Sequence, residues 1–306
     1  MKISVFKNTA RFSLFTCFSM SSLAAPAARI VGDPEAIMGP KSASRGAATT
    51  GSHLVHDSIF QNPAAAALEK SYTVTVGYSP VGEQLSASIV DTKSSGMGGA
   101  ISYVRRDVRE LGNTPLDLGN YKRTEDRAGL SFFGMVDKEI ALGVIAKYAY
   151  QRSFDTLSET GKNWNGDIGA KYIFSREFQI GAVAQNLLKD DTGMNIKAYS
   201  VGIETLPLRS VNLSARVIHY PKPGAGATYR VANETKLTGY SVGAEFAFYR
   251  GAALRGGYKD QPTWNEKIAS AGLGYNGKEW GADYSFQIST LGDKNTAHMA
   301  TLFGRF

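Results

Sequence analysis

A chain of 306 residues suits one large domain or two small ones. Hydrophobic residues make up 43%, mean hydropathy is −0.20, and no apolar run approaches the length of a spanning helix, so a helical membrane protein is excluded. The formal charge of +7 falls to +4 without Lys2, Lys7 and Arg11, too small and too scattered for a nucleic-acid partner. The 33 glycines, 15 tyrosines and 15 phenylalanines against one cysteine suit a membrane β-barrel. In that class a polar lumen face alternates with a lipid face and averages to the same hydropathy.

Lys2, Lys7 and Arg11 open the chain, and residues 12–24 are mostly apolar and small. With Ser22-Leu23-Ala24 or Leu23-Ala24-Ala25 as small residues for cleavage, residues 1–25 read as a signal peptide. Cleavage removes Cys17, the only cysteine, which leaves neither disulfides nor a thiolate metal site. No other metal or cofactor site is expected. His53, His219 and His298 lie far apart without ligand spacing, and no glycine-rich phosphate loop opens a helix.

Residues 26–70 contain the stretch 43–68, rich in Ala, Ser and Gly, with Asn62-Pro63-Ala64 near its end. This stretch reads as a plug. Within it His56-Asp57-Ser58 are triad residue types, but three successive residues cannot converge on one substrate. An enzyme is not expected; an outer-membrane lipase or protease is the catalytic alternative.

From 71 to 306 the chain reads as the wall of a closed antiparallel all-β barrel of about fourteen strands. The strands fall at 71–79, 83–91, 97–106, 124–135, 138–150, 163–175 and 178–186, then at 198–206, 209–219, 239–249, 251–259, 267–275, 278–288 and 297–306. Tyr72, Val74, Val76 and Tyr78 form one apolar row, and Tyr240, Val242, Ala244, Phe246 and Phe248 another. Neither carries a charge, as a lipid-facing band requires, and rings stand near their ends, where interfaces favour them. The opposite faces are polar or small, with Gly143 and Lys147, Asp167, Gly169 and Lys171, and Ser241, Gly243 and Glu245.

Across the turn at Arg250 the register places Glu245 opposite Arg255, and Lys147 falls near Asp167 across the fifth and sixth strands. Such pairs brace a barrel interior. The lumen positives Arg127, Lys147, Lys171, Arg216 and Arg255 nearly balance Asp167, Glu204, Glu245 and Asp283, so no strong ion filter is read. From the third strand onward, long and short connections alternate, as in outer-membrane barrels. A soluble sandwich or lipocalin is the alternative, without reason to alternate its loops. An even strand number puts both chain ends on the short-turn, periplasmic side, and Phe306 ends an amphipathic last strand.

Arg45-Gly46-Ala47-Ala48, then Asp57, then Asn62-Pro63-Ala64 resemble the small-residue run, acidic residue and Asn-Pro-Ala motif of the FadL family, the FadL/TodX transporters of hydrophobic compounds and the related PorV-type barrels. The resemblance implies a hatch, with Asn62, Pro63, Ala64 and Asp57 as its gate, and a bacterial outer-membrane location. It also implies sideways exit through a kink in the third strand, where Gly96, Gly98 and Gly99 permit a bulge; an ordinary periplasmic turn is the other reading of these glycines. Long outer loops with an apolar capture site, as in the hydrocarbon transporters, are not matched here. Passive transport of a fatty-acid- or hydrocarbon-type compound is one expectation, and a non-transporting scaffold for secreted or envelope proteins the second. A general diffusion porin is the third. The expected partners are the bilayer, a hydrophobic small molecule and possible proteins.

Overall fold

The computed structural model describes residues 37–52, 55–80, 83–110, 121–153, 160–188, 195–222, 235–291 and 296–306. The expected signal peptide, residues 1–25, and His53 lie outside them, as do the side chains of His56 and Ser58.

Fourteen strands follow one another around a single closed antiparallel barrel. They are β1 (Tyr72–Ser79), β2 (Gln84–Asp91), β3 (Met97–Glu110), β4 (Tyr121–Met135), β5 (Ile140–Ser153), β6 (Thr160–Ile173), β7 (Phe178–Gln185), β8 (Ala198–Leu208), β9 (Val211–His219), β10 (Thr238–Ala247), β11 (Ala252–Gln261), β12 (Glu266–Asn276), β13 (Trp280–Ser289) and β14 (Thr296–Arg305). β1 pairs with β14 from Thr73↔Arg305 to Tyr78↔Ala300, which closes the cylinder. Closure matters because an open edge in hydrocarbon leaves a row of backbone groups unsatisfied, each at a cost of several kcal/mol.

Every strand shows two faces. Val76, Leu142, Val144, Val201, Val217, Val242, Leu254 and Leu302 are exposed on the outside. Arg127, Lys171, Arg216, Asp167, Glu204 and Asp283 are buried on the inside. This is the fold of an outer-membrane barrel, oily outward and polar inward. No described helix is long and apolar enough to cross a membrane; the strands do the crossing.

The one register shift in the described ladders is between Thr205 and Leu208 of β8, beside Pro207, which has no N–H to give. β3, in contrast, pairs without a break on both sides, from Asp91↔Gly99 to Leu85↔Arg105 with β2 and from Met97↔Gly134 to Glu110↔Tyr121 with β4. Gly99 is thus held in register on both sides, while Gly98 pairs only with β4 and is covered by the Phe133 ring, from which a Cβ there would stand 2.3 Å. Gly96 lies before β3, in open space.

The N-terminal segment contributes α1 (Pro40–Ser44), α2 (Val55–Gln61) and a 3₁₀ helix over Pro63–Leu68. Its position follows from bonds to distant parts of the wall. Gly46 N donates to Ser270 Oγ on β12 at 3.1 Å, Thr50 Oγ1 meets Ser200 Oγ on β8 at 3.1 Å, and Gln287 Nε2 on β13 donates to Ala43 O at 3.1 Å. Only a segment inside the cylinder can reach all three.

Candidate functional site

The inner wall receives this segment on glycines. Gly143↔Gly169, Gly181↔Gly202 and Gly243↔Gly257 are cross-strand register pairs, so bare backbone faces the lumen two strands at a time. A Cβ on Gly143 would stand 2.6 Å from Ala64 N, and one on Gly181 2.1 Å from Thr50 O. One on Gly257 would stand 2.2 Å from Gly46 N. Backbone seats on backbone here, and no side chain larger than hydrogen fits between.

Asn62, fully buried, is the central tie. Its Oδ1 accepts from Ala64 N at 3.1 Å and caps the 3₁₀ helix, with Pro63 at the first position. Its Nδ2 donates to Thr50 O at 2.9 Å and reaches the β6 carbonyl of Ala170 at 3.3 Å. Pro63 and Ala64 lie against Gly143 and Gly169, and Ala64, Ala66 and Ala67 pack with Ile59, Val90, Ala100, Phe133 and Ala141. Asp57 accepts the Ser42 N–H at 2.9 Å, satisfying an orphan donor in the first turn of α1. Asn62→Asp is expected to loosen the segment more than Asn62→Ala, because a carboxylate would face carbonyl oxygens. The alanine form is expected to cost about 1–3 kcal/mol through an unsatisfied buried group. Amide hydrogen exchange at Ala64 and Ala65 is the measurement.

Charges clamp the segment's other half. Arg45, with no exposed surface, donates through Nη2 to Asn212 Oδ1 at 2.8 Å and lies 3.5 Å from Glu204 Oε2. Asn212 Nδ2 in turn donates to Glu204 Oε1 at 2.6 Å. Glu245 and Arg255 stand opposite each other in register and bond at 2.6 Å, with Asp283 on the other side of Arg255 at 2.5 Å. Lys147 faces Asn165 in register and reaches diagonally to Asp167 at 2.6 Å.

Between the segment and the β3–β6 wall lies a cavity of about 40 Å³. Ile37, Ile59 and Phe60 line it from the segment, Val104 and Ile145 from the wall, and Ser102, Arg127, Lys147, Asp167 and Gln185 supply polar edges. Farther along β3 and β4, Glu125 is gripped by Arg106 and Arg127. Of the residues the sequence singled out, Arg127, Lys147 and Asp167 line this cavity. Asn62, Pro63, Ala64 and Asp57 do not; they seat the segment. Sequence reading missed Ile59 and Phe60 as cavity residues. It also missed the clamp at Arg45 and the glycine seat, whose signal was present as inward glycines recurring at matched register.

The sequence matches no protein-family model and no curated protein. Solved structures do match. The toluene transporter TbuX of Ralstonia pickettii aligns with a TM-score of 0.61 at 14% identity, over 87% of this chain and 97% of its own. A FadL homologue of Pseudomonas aeruginosa gives 0.60 at 12%, over 88% and 98%. The toluene transporter TodX of Pseudomonas putida gives 0.64 at 9%, over 88% and 98%. The likeness runs over nearly the whole of each matched chain, and this chain has the FadL/TodX barrel fold.

Proposed function

We propose that the protein is a passive transporter of a small hydrophobic compound in the bacterial outer membrane, with residues 26–70 as the hatch that gates its lumen. The observation that carries this reading is the cavity between hatch and wall, floored by Ile37, Ile59, Phe60, Val104 and Ile145. Apolar side chains in a lumen otherwise lined with charge favour an apolar cargo. The fold shared with two toluene transporters supports the same cargo class.

The size of the cavity supports a gate that moves. A dry cavity that accepts benzene needs on the order of 150 Å³, against about 40 Å³ here. A volume this small supports a gate that has to shift for such a compound to pass. Phe60, half-buried, lines the cavity from the hatch side.

Uptake of radiolabelled toluene and oleate by a Gram-negative host carrying the protein, against vector alone, tests this. Uptake above vector is the expected result. Val104→Lys places a charge in the cavity wall and is expected to lower uptake on the order of tenfold, ~1.4 kcal/mol. Absence of uptake of both probes, together with co-purifying envelope proteins, would replace transport by the scaffold reading.

A further inference from the structure

We propose that the outward face of β3–β6 is a docking site for the phosphate-bearing headgroup of an outer-leaflet lipid, held by Arg105, Arg152 and Lys162. This rests on the outer-membrane placement above and not on transport. β3, β4, β5 and β6 have 14, 15, 14 and 14 residues, whereas β2 and β7, on either side, have 8 each. A tilted strand crosses a bilayer with about ten, so these four run on past the hydrocarbon. Their ends at Met135, Ile140 and Ile173 stand on the short turns, which puts the surplus on the other side, that of the long connections.

The outer surface of these strands is layered by register. Ile101↔Leu130 and Phe132↔Val144 are exposed apolar pairs. Further out, Tyr103, Ala128, Tyr148 and Trp164 form one row from β3 to β6, each the register partner of the next. The Tyr148 and Trp164 rings pack at 4.9 Å between centroids. Rings of this kind sit at the level of the headgroups. The next outward row is Arg105, Asp126, Tyr150 and Lys162, again partner by partner. Charge thus begins directly above the aromatic row, at the height of lipid phosphates.

That charge is basic and gathered. Arg105, Arg152 and Lys162 are exposed, and none is ion-paired to a carboxylate among the described residues. The Arg152 guanidinium lies 5.5 Å from the centre of the Tyr150 ring and Lys162 Nζ 5.8 Å. One ring therefore holds two like charges, an arrangement that repels unless an anion joins it. The acids of this face are already engaged: Asp126 accepts from the Tyr103 hydroxyl at 2.5 Å, and Asp107 from Thr124 Oγ1 at 2.7 Å. Beyond them the ladder continues through the register pair Arg109↔Lys122, basic on both strands. A phosphate monoester brings up to two negative charges and three acceptor oxygens, and guanidinium groups match it bidentately. Lys267, exposed on β12, is by contrast paired with Asp260 at 3.3 Å.

The test refolds the protein into phosphatidylcholine vesicles carrying diphosphoryl lipid A as the probe, extracts it in detergent and counts the retained lipid A by mass spectrometry. Heat-modifiable mobility on gels confirms a folded barrel. Titrating the lipid A content gives an apparent affinity. Wild type is expected to retain lipid A, and to keep it in EDTA, because the side chains themselves neutralise the phosphates. Arg105→Ser with Arg152→Ser and Lys162→Gln is expected to weaken retention by about a hundredfold, roughly fivefold per cation. Lys267→Gln, on the far side of the barrel, is expected to leave it unchanged. Dephosphorylated lipid A is expected not to be retained. Equal retention by the triple variant, equal retention of the dephosphorylated lipid, or release by EDTA overturns the site. A folded wild-type barrel that retains no lipid A does the same and leaves the membrane placement standing. A wild-type chain that does not enter the vesicles overturns both.

Discussion

Replacing Arg45 by Met is expected to destabilise the protein by about 3–5 kcal/mol, because the buried Glu204 loses the guanidinium that lies 3.5 Å from it. Glu204 is 1% exposed, and Arg45 has no exposed surface at all. The bonds lost are those of Nη2 to Asn212 and to Glu204. The same change should free the first half of the hatch, so that limited proteolysis cuts between 37 and 52 in the variant and not in wild type. Glu204→Gln added to Arg45→Met removes the stranded charge and is expected to recover most of the loss. Near-complete recovery is anticipated because Arg45 is not fully satisfied to begin with: its Nε and Nη1 have no hydrogen-bond partner among the described residues. Urea unfolding of the single and double variants in lipid vesicles measures both numbers. If the double variant is as unstable as the single, the clamp acts through packing and not through charge.

Gly243→Leu with Gly257→Leu should open the lumen permanently. The two positions are register partners, and a Cβ at the first would stand 2.4 Å from Arg45 O, at the second 2.2 Å from Gly46 N. These contacts are to backbone, which cannot rotate aside. Overpacking costs about 1–3 kcal/mol per site, so two sites shift the ratio of unseated to seated hatch by roughly thirtyfold or more. Planar-bilayer recordings are expected to change from rare openings to steady conductance, as should a deletion of residues 26–70. Gly256→Ala is the control, since its Cβ would meet nothing nearer than Ser270 O at 3.9 Å. Steady conductance from that control would mean that wall substitutions disturb the barrel itself.

The wall was legible because lipid imposes a two-residue period on every strand. The predicted strand at 267–275 is Glu266–Asn276 in the structure, and 178–186 is Phe178–Gln185. The hairpin of β3 and β4 was read short, at 106 and 124, whereas its ladder continues to Glu110↔Tyr121. The added residues include Arg109, Glu110, Lys122 and Arg123, a charged run in which the apolar–polar alternation disappears from the sequence. Glu245 and Arg255 could be placed opposite each other because the tight turn at Arg250 fixes register arithmetically. The hatch contacts could not be placed that way. Ala64 and Gly143 are brought together by the closure of the whole cylinder, and nothing in their local sequence states the distance. The cavity was hidden for the same reason: Phe60 and Ile145 belong to elements that meet only in three dimensions.

The hatch continues directly into the first strand, through residues 69–71. Thr92 Oγ1 bonds the carbonyl of Glu69, and Ser71 N donates to Thr92 Oγ1 at 2.7 Å. A displaced hatch is thus on a very short leash pinned to the rim. Short leashes hold a detached module at local concentrations of about millimolar, so the empty seat is re-occupied without any encounter in solution. Under the proposed gating, each opening is then a brief excursion that ends by itself.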